Sequence, residues 1–563
     1  MSDPIKGIES TTSDEQLNIR YMVEHAARAH GDQEVITDMP GGAHRYTYSE
    51  MYDRINQAAH ALQELGVSAG DAIGIYGYST YRNVELIYAA GGLGATAFLV
   101  NLELPESHKR FCVDHVQEHA PFEYMFTDGG HLEELQDTLE NPDRLEYVVT
   151  RELDDYGDLD VEPVGTYESM LAGHDTAFDW PRIDEDTAVI LGFTSGTTGK
   201  PKAMTHSHRA LWLHDVGYHS GAQLDPQDSV LMVPPLFHYG WEMWGFAPLA
   251  GSKLVMPGPE YPDNLLDLLF DHDITFSSGV ATLFRKAAER AKKRQRKGVE
   301  VDFSGLHVVF AGQSPPRDLM RDLEELGAET SQAYGYSESA GGPHFAFNVH
   351  GDLRDRELEM DEEERFEYKA EVGGYPPAGV HIRVLDVEDG TEQPWDGESP
   401  GEIAISAPWC VNGYWKMPDR TAENRDGRFL KMGDFVTVDN DANIRVRDRV
   451  KDAIKSGGEW IPSPTIEELI NEHPQVASSC VIAADHPEWG ERPIAVVELA
   501  ERVDPDEVTF DLEEFLEPHV ADGTIQKWWI PDRVVVDEIP ITGTGKFNKK
   551  TLRDQYGDIL TEG

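Results

Sequence analysis

The sequence predicts an α/β protein built as a large unit followed by a smaller one. Three observations carry this expectation. Up to about Val372, short apolar runs alternate with helical patterns, the signature of largely parallel sheets crossed by helices. Beyond Val372 the segments shorten and become turn-bounded, which is typical of antiparallel β structure. After Lys451 a final unit of roughly 110 residues, an ordinary domain size, mixes helix and strand candidates.

The elements follow in order. Thr47-x-x-Glu50 has the form of a capping box, and Met51, Ile55, Ala58, Ala59, Leu62 and Leu65 recur behind it at helical spacing until Gly66. A strand is expected at Ala72–Tyr76, a buried helix around Asn83–Ala90, and a strand at Thr96–Val100. The rhythm returns at Ala188–Phe193, at Leu231–Val233, and at Val308–Ala311 before a further helix. Val380–Leu385, Gly401–Ser406, Phe435–Val438 and Asn443–Val446 read as antiparallel strands. The final unit offers helices near Thr465–Asn471 and Asp511–Phe515 and strands near Val476–Ala483 and Ile494–Glu498.

Of 563 residues, 103 are Asp or Glu and 48 are Lys or Arg, a net charge of −55 with His neutral. Such a balance repels the phosphates of duplex nucleic acid and anionic membrane surfaces. It also disfavours the compact state unless salt screens it, and at molar salt the Debye length falls to about 3 Å. A salt-accumulating cytosol, as in a halophile, is the expected setting. Cys112, Cys410 and Cys480 have no paired spacing, so no disulfide framework, zinc knuckle or CxxC redox site is expected. The opening Met-Ser-Asp-Pro-Ile lacks the basic and apolar regions of a signal peptide. The longest apolar run, Leu86–Val100, is too short for a bilayer and reads as a helix end followed by a strand. A cytoplasmic protein without a transmembrane segment is expected, and homo-oligomerisation stays open.

The most informative stretch is Leu191-Gly-Phe-Thr-Ser-Gly-Thr-Thr-Gly-Lys-Pro-Lys202, followed by a helix from near Ser207. Gly196 and Gly199 let backbone amides turn inward around an anion, Thr194, Ser195, Thr197 and Thr198 add hydroxyl donors, and Lys200 and Lys202 add charge. By composition alone such a segment is most often only a loop. It is not a Walker A loop: two residues rather than four separate Gly196 and Gly199, and Pro201 stands where Ser or Thr is required.

Thr194–Lys202 resembles the signature loop of the acyl-adenylate-forming enzymes, which include acyl-CoA synthetases, luciferases and amino-acid adenylation domains. Further matches follow in that family's order: Tyr334-Gly-Tyr-Ser-Glu338, Met432-Gly-Asp434, Asp448-Arg-Val-Lys-Asp-Ala-Ile-Lys-Ser-Gly-Gly458 and Pro540-Ile-Thr-Gly-Thr-Gly-Lys546. The resemblance covers essentially the whole chain. It implies a large N-terminal domain of α/β subdomains with a distorted β-barrel (residues 1–450). A small mobile α+β C-terminal domain (451–563) would turn about Lys451.

The resemblance further implies two half-reactions. A carboxylate attacks the α-phosphate of ATP, giving acyl-AMP and pyrophosphate, and the CoA thiol then takes the acyl group. The substrates would be a small carboxylic acid, ATP with Mg²⁺, and CoA as cosubstrate. The loop from Thr194 to Lys202 would hold the β- and γ-phosphates, with Glu338 and Thr197 on Mg²⁺ and Lys546 bridging the carboxylate and the α-phosphate. Tyr334 would stack on adenine, with Gly335, Tyr336 and Ser337 beside it and Gly312 and Gln313 on the other edge. Asp434 would accept from the ribose hydroxyls, with Arg449 nearby. Ser456, Gly457 and Gly458 would line the pantetheine passage. Read singly, Lys546 is an ordinary solvated lysine near the end of the chain and Asp434 and Arg449 ordinary surface ions. Ala203, Gln313, Ser337 and Met432 depart from the family's usual Gly, Gly, Thr and Thr.

Pro235-Leu-Phe-His-Tyr-Gly-Trp-Glu-Met-Trp244 corresponds to the acyl side. His238 stands where amino-acid adenylation domains carry an Asp, which argues against an α-amino acid. His238 would contact the substrate carboxylate or close the pocket, or else pack as a core histidine. Trp241 and Trp244 would wall an apolar pocket, or serve as core. The wording Lys455-Ser-Gly-Gly-Glu-Trp-Ile461 most resembles the medium-chain fatty acyl-CoA ligase branch, with short-chain, thioether-bearing or aryl acids as alternatives. A ligase loading a carrier protein and a non-catalytic binding protein are the competing functions, and Lys546, Glu338 and Asp434 together speak against the second. One run, Arg285–Lys297, gathers eight bases in an acidic chain. It reads as an attractor of CoA phosphates or of an anionic surface, or, more commonly for such a run, as a solvated helix end and loop.

Overall fold

The computed structural model describes residues 10–194, 200–238, 241–312, 314–340, 343–345, 359–500, 503, 511–521, 523–540 and 547–561. By its internal contacts the chain divides into two compact units, Met1–Ile382 with Ile405–Leu430, and Arg383–Ala404 with Lys431–Gly563.

The first unit contains two seven-stranded sheets of one design. In one, β1 (Glu34–Thr37) and β2 (His44–Thr47) join β10 (Ser229–Leu231), β11 (Lys253–Met256), β12 (Phe276–Gly279), β13 (His307–Phe310) and β14 (Glu329–Gln332), in the order β14-β13-β12-β10-β11-β1-β2. The other combines β3 (Ala72–Tyr76), β4 (Thr96–Leu99), β5 (Tyr124–Asp128), β6 (Glu146–Arg151), β7 (Gly165–Thr166), β8 (Ala188–Thr194) and β9 (Lys202–Ser207), in the order β7-β6-β5-β3-β4-β8-β9. Each is parallel except for one antiparallel pair at an edge, β1–β2 and β8–β9. Parallel strands are covered on both faces, so their sequences are continuously apolar, as Ala-Ile-Gly-Ile-Tyr of the wholly buried β3 illustrates.

The helices follow from local chemistry. Thr47 accepts from the Glu50 amide while the Glu50 carboxylate takes the Thr47 amide, completing the expected capping box of helix Tyr48–Glu64. The buried helix Tyr81–Leu93 stops at Gly94, whose φ is +81° and where a Cβ would come within 2.9 Å of Ile183. No other residue fits there without strain.

The basic run forms most of helix Ala281–Gln295, which buries Phe284, Ala287, Ala288 and Ala291. Its cations engage acids on neighbouring elements: Arg285 grips Asp318 through two bonds of 2.8 and 2.9 Å, Lys292 pairs with Asp322 and Glu325, and Arg294 with Asp267. The run is thus an ion-paired helix face.

The second unit holds antiparallel structure, as expected. β17 (His381–Leu385), β18 (Gly401–Ser406) and β20 (Phe429–Val438), each with its larger part in this unit, are neighbours in that order, and β21 (Ile444–Arg449) also pairs with β20; β19 (Arg425–Asp426), which belongs to the first unit, pairs with the Phe429–Leu430 end of β20. In the first unit, β15 (Tyr334–Gly335) and β16 (Pro343–Phe345) form a ribbon of their own. Toward the C-terminus, β22 (Ile454–Ser456), β23 (Glu459–Ile461), β24 (Val476–His486), β25 (Gly490–Leu499) and β26 (Val534–Val536) pair in a five-stranded sheet. Ile454, Ile466, Ile470, Val481, Val497 and Leu516 form its core with helices Ser463–Asn471 and Leu512–Ala521. Among the described residues no helix is long and apolar enough to cross a membrane.

Candidate active site

Strand β8 runs up to the glycine- and hydroxyl-rich loop and ends at Thr194, where its register partner on β9 is Lys202. The helix expected near Ser207 is present as His208–Ala222, with the Ser207 hydroxyl accepting from the Ala210 amide. The intervening strand β9 had no signal, because Lys-Ala-Met-Thr-His-Ser contains one β-branched residue and no strict alternation. Ser195, Gly196, Thr197, Thr198 and Gly199 lie outside the described residues, as do Gln313 and Lys546.

Lys202 is joined to Glu338 through a tyrosine. Its ammonium donates to the Tyr414 hydroxyl at 2.8 Å, and that hydroxyl donates to Glu338 Oε1 at 2.9 Å. The ammonium itself is 3.9 Å from the same carboxylate oxygen. Backbone bonds hold the geometry: the Trp415 amide donates to the Ala203 carbonyl on β9, and the Val411 amide to the Glu338 carbonyl, both at 2.8 Å. Segment 411–415 therefore clamps β9 to the turn that carries Glu338. Tyr414 was not identified from sequence; its only signal is an aromatic pair inside Asn412-Gly-Tyr-Trp-Lys-Met-Pro418, and nothing in the spacing links it to Glu338.

The turn around Glu338 is supported from β9 as well. His206 Nε2 donates to the Ser337 carbonyl at 3.0 Å, and burial pushes the imidazole pKa down to about 4, so the ring is neutral at pH 7. Tyr334 and Gly335 form β15, and the rings of Tyr334 and Tyr336 meet edge-on at 5.7 Å. Ala340, just past the turn, adopts φ of +72°, a conformation that costs an L-residue about 1 kcal/mol or more. Gly312 takes φ of +87° beside the undescribed Gln313.

The acyl-side candidates separate. His238 ends a short turn, Leu236–His238, and its Nε2 is 2.9 Å from Glu103 Oε2, a partner that the sequence did not indicate. Trp244 is wholly buried, edge-on to Tyr88 at 5.4 Å, and its carbonyl accepts from the Tyr88 hydroxyl. The Trp241 side chain lies outside the described set.

In the second unit Asp434 and Arg449 come together on β20 and β21, with Arg449 Nε 3.0 Å from Asp434 Oδ1. Arg449 also donates to the Met432 carbonyl at 3.1 Å. Lys451 is exposed in the turn that follows, where the Asp452 and Ala453 amides both donate to the Arg449 carbonyl. Ser456 ends β22, and Gly457 and Gly458 form the two-residue turn to β23, with φ of +61° and +98°. A Cβ on Gly457 would lie 3.0 Å from the ring of Trp489, a half-exposed tryptophan that the sequence reading passed over.

The donors present fit a magnesium ion carried by nucleotide phosphates. Thr194 Oγ1 is buried and has no partner among the described residues, and Glu338, 7% exposed, accepts its one described side-chain bond through Oε1 alone. A single carboxylate with hydroxyls suits a hard cation that keeps most of its ligands as phosphate and water. Among the described residues no cluster of three or more acids, histidines or cysteines could hold a metal by itself.

Comparison with known proteins agrees with this layout. The family model described as AMP-binding enzyme matches residues 23–415, and that described as AMP-binding enzyme C-terminal domain matches residues 465–546. The chain is 32% identical to the 3-methylmercaptopropionyl-CoA ligase of Ruegeria lacuscaerulensis over 97% of its own length and 98% of the relative's. It is 34% identical to the long-chain-fatty-acid–CoA ligase of Thermus thermophilus, over 97% of each. The fold is similar to that of the anthranilate CoA ligase AuaEII solved with anthranoyl-AMP, with a TM-score of 0.80 at 20% identity, covering 98% of this chain and 100% of that one. The chain belongs to the AMP-binding enzyme family and is an AMP-forming acyl-CoA ligase.

Proposed function

We propose that this ligase activates a medium-chain fatty acid in a salt-rich cytoplasm. The observation that carries the chemistry is the Lys202–Tyr414–Glu338 chain at the base of the glycine- and hydroxyl-rich loop. It sets a cation and a carboxylate side by side, as a Mg-nucleotide requires. Glu338 and Thr197 would hold Mg²⁺ together with ATP, and the ion would supply charge neutralisation. Residues 194–202 bind the β- and γ-phosphates; Tyr334 to Ser337, with Gly312 and Gln313, take the adenine; Asp434 and Arg449 take the ribose. Lys546 brings the acid's carboxylate to the α-phosphate. The segment from Lys451 onward then turns about that residue, and CoA reaches the acyl-AMP past Ser456, Gly457 and Gly458.

We assign His238, with its partner Glu103, and Trp241 to the acyl side, where an apolar tail suits an aromatic wall; Trp244, buried against Tyr88, belongs to the core. The medium-chain reading rests on the wording of Lys455–Ile461. A second reading, a short thioether acid, is favoured by the 32% likeness to a 3-methylmercaptopropionyl-CoA ligase.

The test is pyrophosphate release and CoA-dependent AMP formation in molar KCl with Mg-ATP, across straight-chain acids from acetate to palmitate, with benzoate and 3-methylmercaptopropionate added. A maximum at intermediate length that needs high salt supports the proposal. A maximum at 3-methylmercaptopropionate moves the substrate to the second reading. Pyrophosphate release leaving an acyl-AMP that CoA cannot discharge would overturn the choice of acceptor and point to a carrier protein.

A further inference from the structure

Lys451 lies between two aspartates, and both lead to the same helix. Asp452, on its C-terminal side, forms an ion pair at 2.7 Å with Arg553 of helix Lys549–Tyr556. Asp448, on its N-terminal side, accepts from both the amide and the hydroxyl of Ser463, the first residue of helix Ser463–Asn471. The Ser463 hydroxyl in turn accepts from the Lys549 ammonium at 2.6 Å, and the same ammonium pairs with Glu467 at 2.8 Å. Glu467 accepts from the Val481 amide at 2.7 Å, which anchors the network to β24. Lys549 has 12% of its side chain exposed and Asp448 is 7% exposed as a residue, so these are desolvated charges held by defined hydrogen bonds. Burial opposes the charge on Lys549, but attraction to Glu467 and then to Asp448 outweighs it and raises its pKa.

Among the described residues, side-chain contacts also join the stretch before Lys451 to that after it, beside the local turn bonds to the Arg449 carbonyl. Lys455 pairs with Glu388, and the rings of Phe435 and Trp460 meet at 4.8 Å. Glu388 is largely exposed, and an exposed ion pair contributes little. Among these contacts the Asp448–Ser463 bond is the one tied into a buried network, and that network ends three residues from Lys546.

We propose that Asp448 is a positioning residue: its bond to Ser463 is a releasable latch across Lys451 that sets the balance between the two half-reactions. This rests on the reading of Lys451 as the hinge. If the chain turns there, Asp452 travels with Arg553 and its pair persists. Asp448 stays behind and must part from Ser463, leaving Lys549 with Glu467. The latch therefore stabilises one of two orientations, and its loss biases the enzyme toward the other. The Asp452–Arg553 pair is present in both and carries no such bias.

The test measures the half-reactions separately on the full-length enzyme: acid-dependent ATP–pyrophosphate exchange, and CoA-dependent consumption of supplied acyl-AMP. The probe is the acid of the series above that turns over fastest, with its acyl-AMP. Asp448→Asn is expected to shift the ratio of the two rates by about five- to tenfold, as loss of one charge-assisted bond in only one of two states would. Ser463→Ala should shift it in the same direction, and serves also if the first variant does not fold. Asp452→Asn should lower the melting temperature and leave the ratio within about twofold, since its pair is common to both states. Equal losses in both half-reactions for Asp448→Asn and Ser463→Ala, or the same ratio shift from Asp452→Asn, would overturn the latch. Lys451→Pro tells this failure from failure of the hinge. If it leaves the two half-reactions in step, the hinge is wrong and the latch falls with it. If it separates them while Asp448→Asn and Ser463→Ala do not, only the latch is wrong.

Discussion

Arg449 and Asp434 occupy paired register positions on adjacent antiparallel strands, fifteen residues apart in the chain, with Nε to Oδ1 at 3.0 Å. The guanidinium so placed holds the carboxylate at the strand pair by a charge-assisted contact. Asp434→Ala and Arg449→Met should each raise the KM for ATP about ten- to a hundredfold, in line with about 1.5–3 kcal/mol for a hydrogen bond to a charged group. The double variant should fall short of the product of the two, because the residues act as a pair. Pyrophosphate exchange over a range of ATP concentrations reads both.

Tyr414→Phe removes the hydroxyl between Lys202 and Glu338 and nothing else. The two charges then face each other at 3.9 Å without their bridge. Adenylation should fall about tenfold, the effect of losing a charge-assisted hydrogen bond, while consumption of supplied acyl-AMP stays near wild type. A melting temperature within a few degrees of wild type would show that the change is local.

Gly457→Ala tests the passage proposed for CoA. At φ of +61° any side chain is strained, and this Cβ would press on the Trp489 ring at 3.0 Å. Thioester formation should drop while pyrophosphate exchange is kept. Adding Trp489→Ala should recover part of the loss, since the ring is one of the two causes; the backbone strain of about 1 kcal/mol would remain.

Acid should destabilise this protein through its buried histidines. Burial pushes His206 and His208 down to about 4 from an ordinary value of 6.5. Between those pH values the unfolded chain binds more protons than the native one. The stability that these neutral rings contribute is full above pH 6.5 and is lost as the pH falls toward 4. Each histidine should account for on the order of 1–3 kcal/mol over that window. Denaturant midpoints measured from pH 7 to 4.5 should therefore fall, and His206→Gln should flatten the slope. An unchanged slope in that variant would mean that His206 is solvated.

Much of the architecture was legible because it is locally encoded. Strand β3 needs both faces covered, so its five residues are apolar and bounded by turns; the helix before it announces itself by the Thr47–Glu50 cap. Strand β9 was missed because its stability comes from pairing with β8 rather than from its own residues. The basic helix Ala281–Gln295 was ambiguous for the same kind of reason: its charges are read one way alone and another beside Asp267, Asp318 and Asp322.

By itself the sequence determined the α/β class and the order of its units. It also identified the glycine-and-hydroxyl loop with the motifs that follow it, because propensity, capping and motif spacing act over a few residues. Only the tertiary structure decided that Tyr414 stands between Lys202 and Glu338, and that Asp448 reaches Ser463 and, through it, Lys549. Those groups are separated by 15 to 212 positions along the chain. Their meeting is fixed by strand register and by the need of buried charges for partners, and no short stretch of sequence records either.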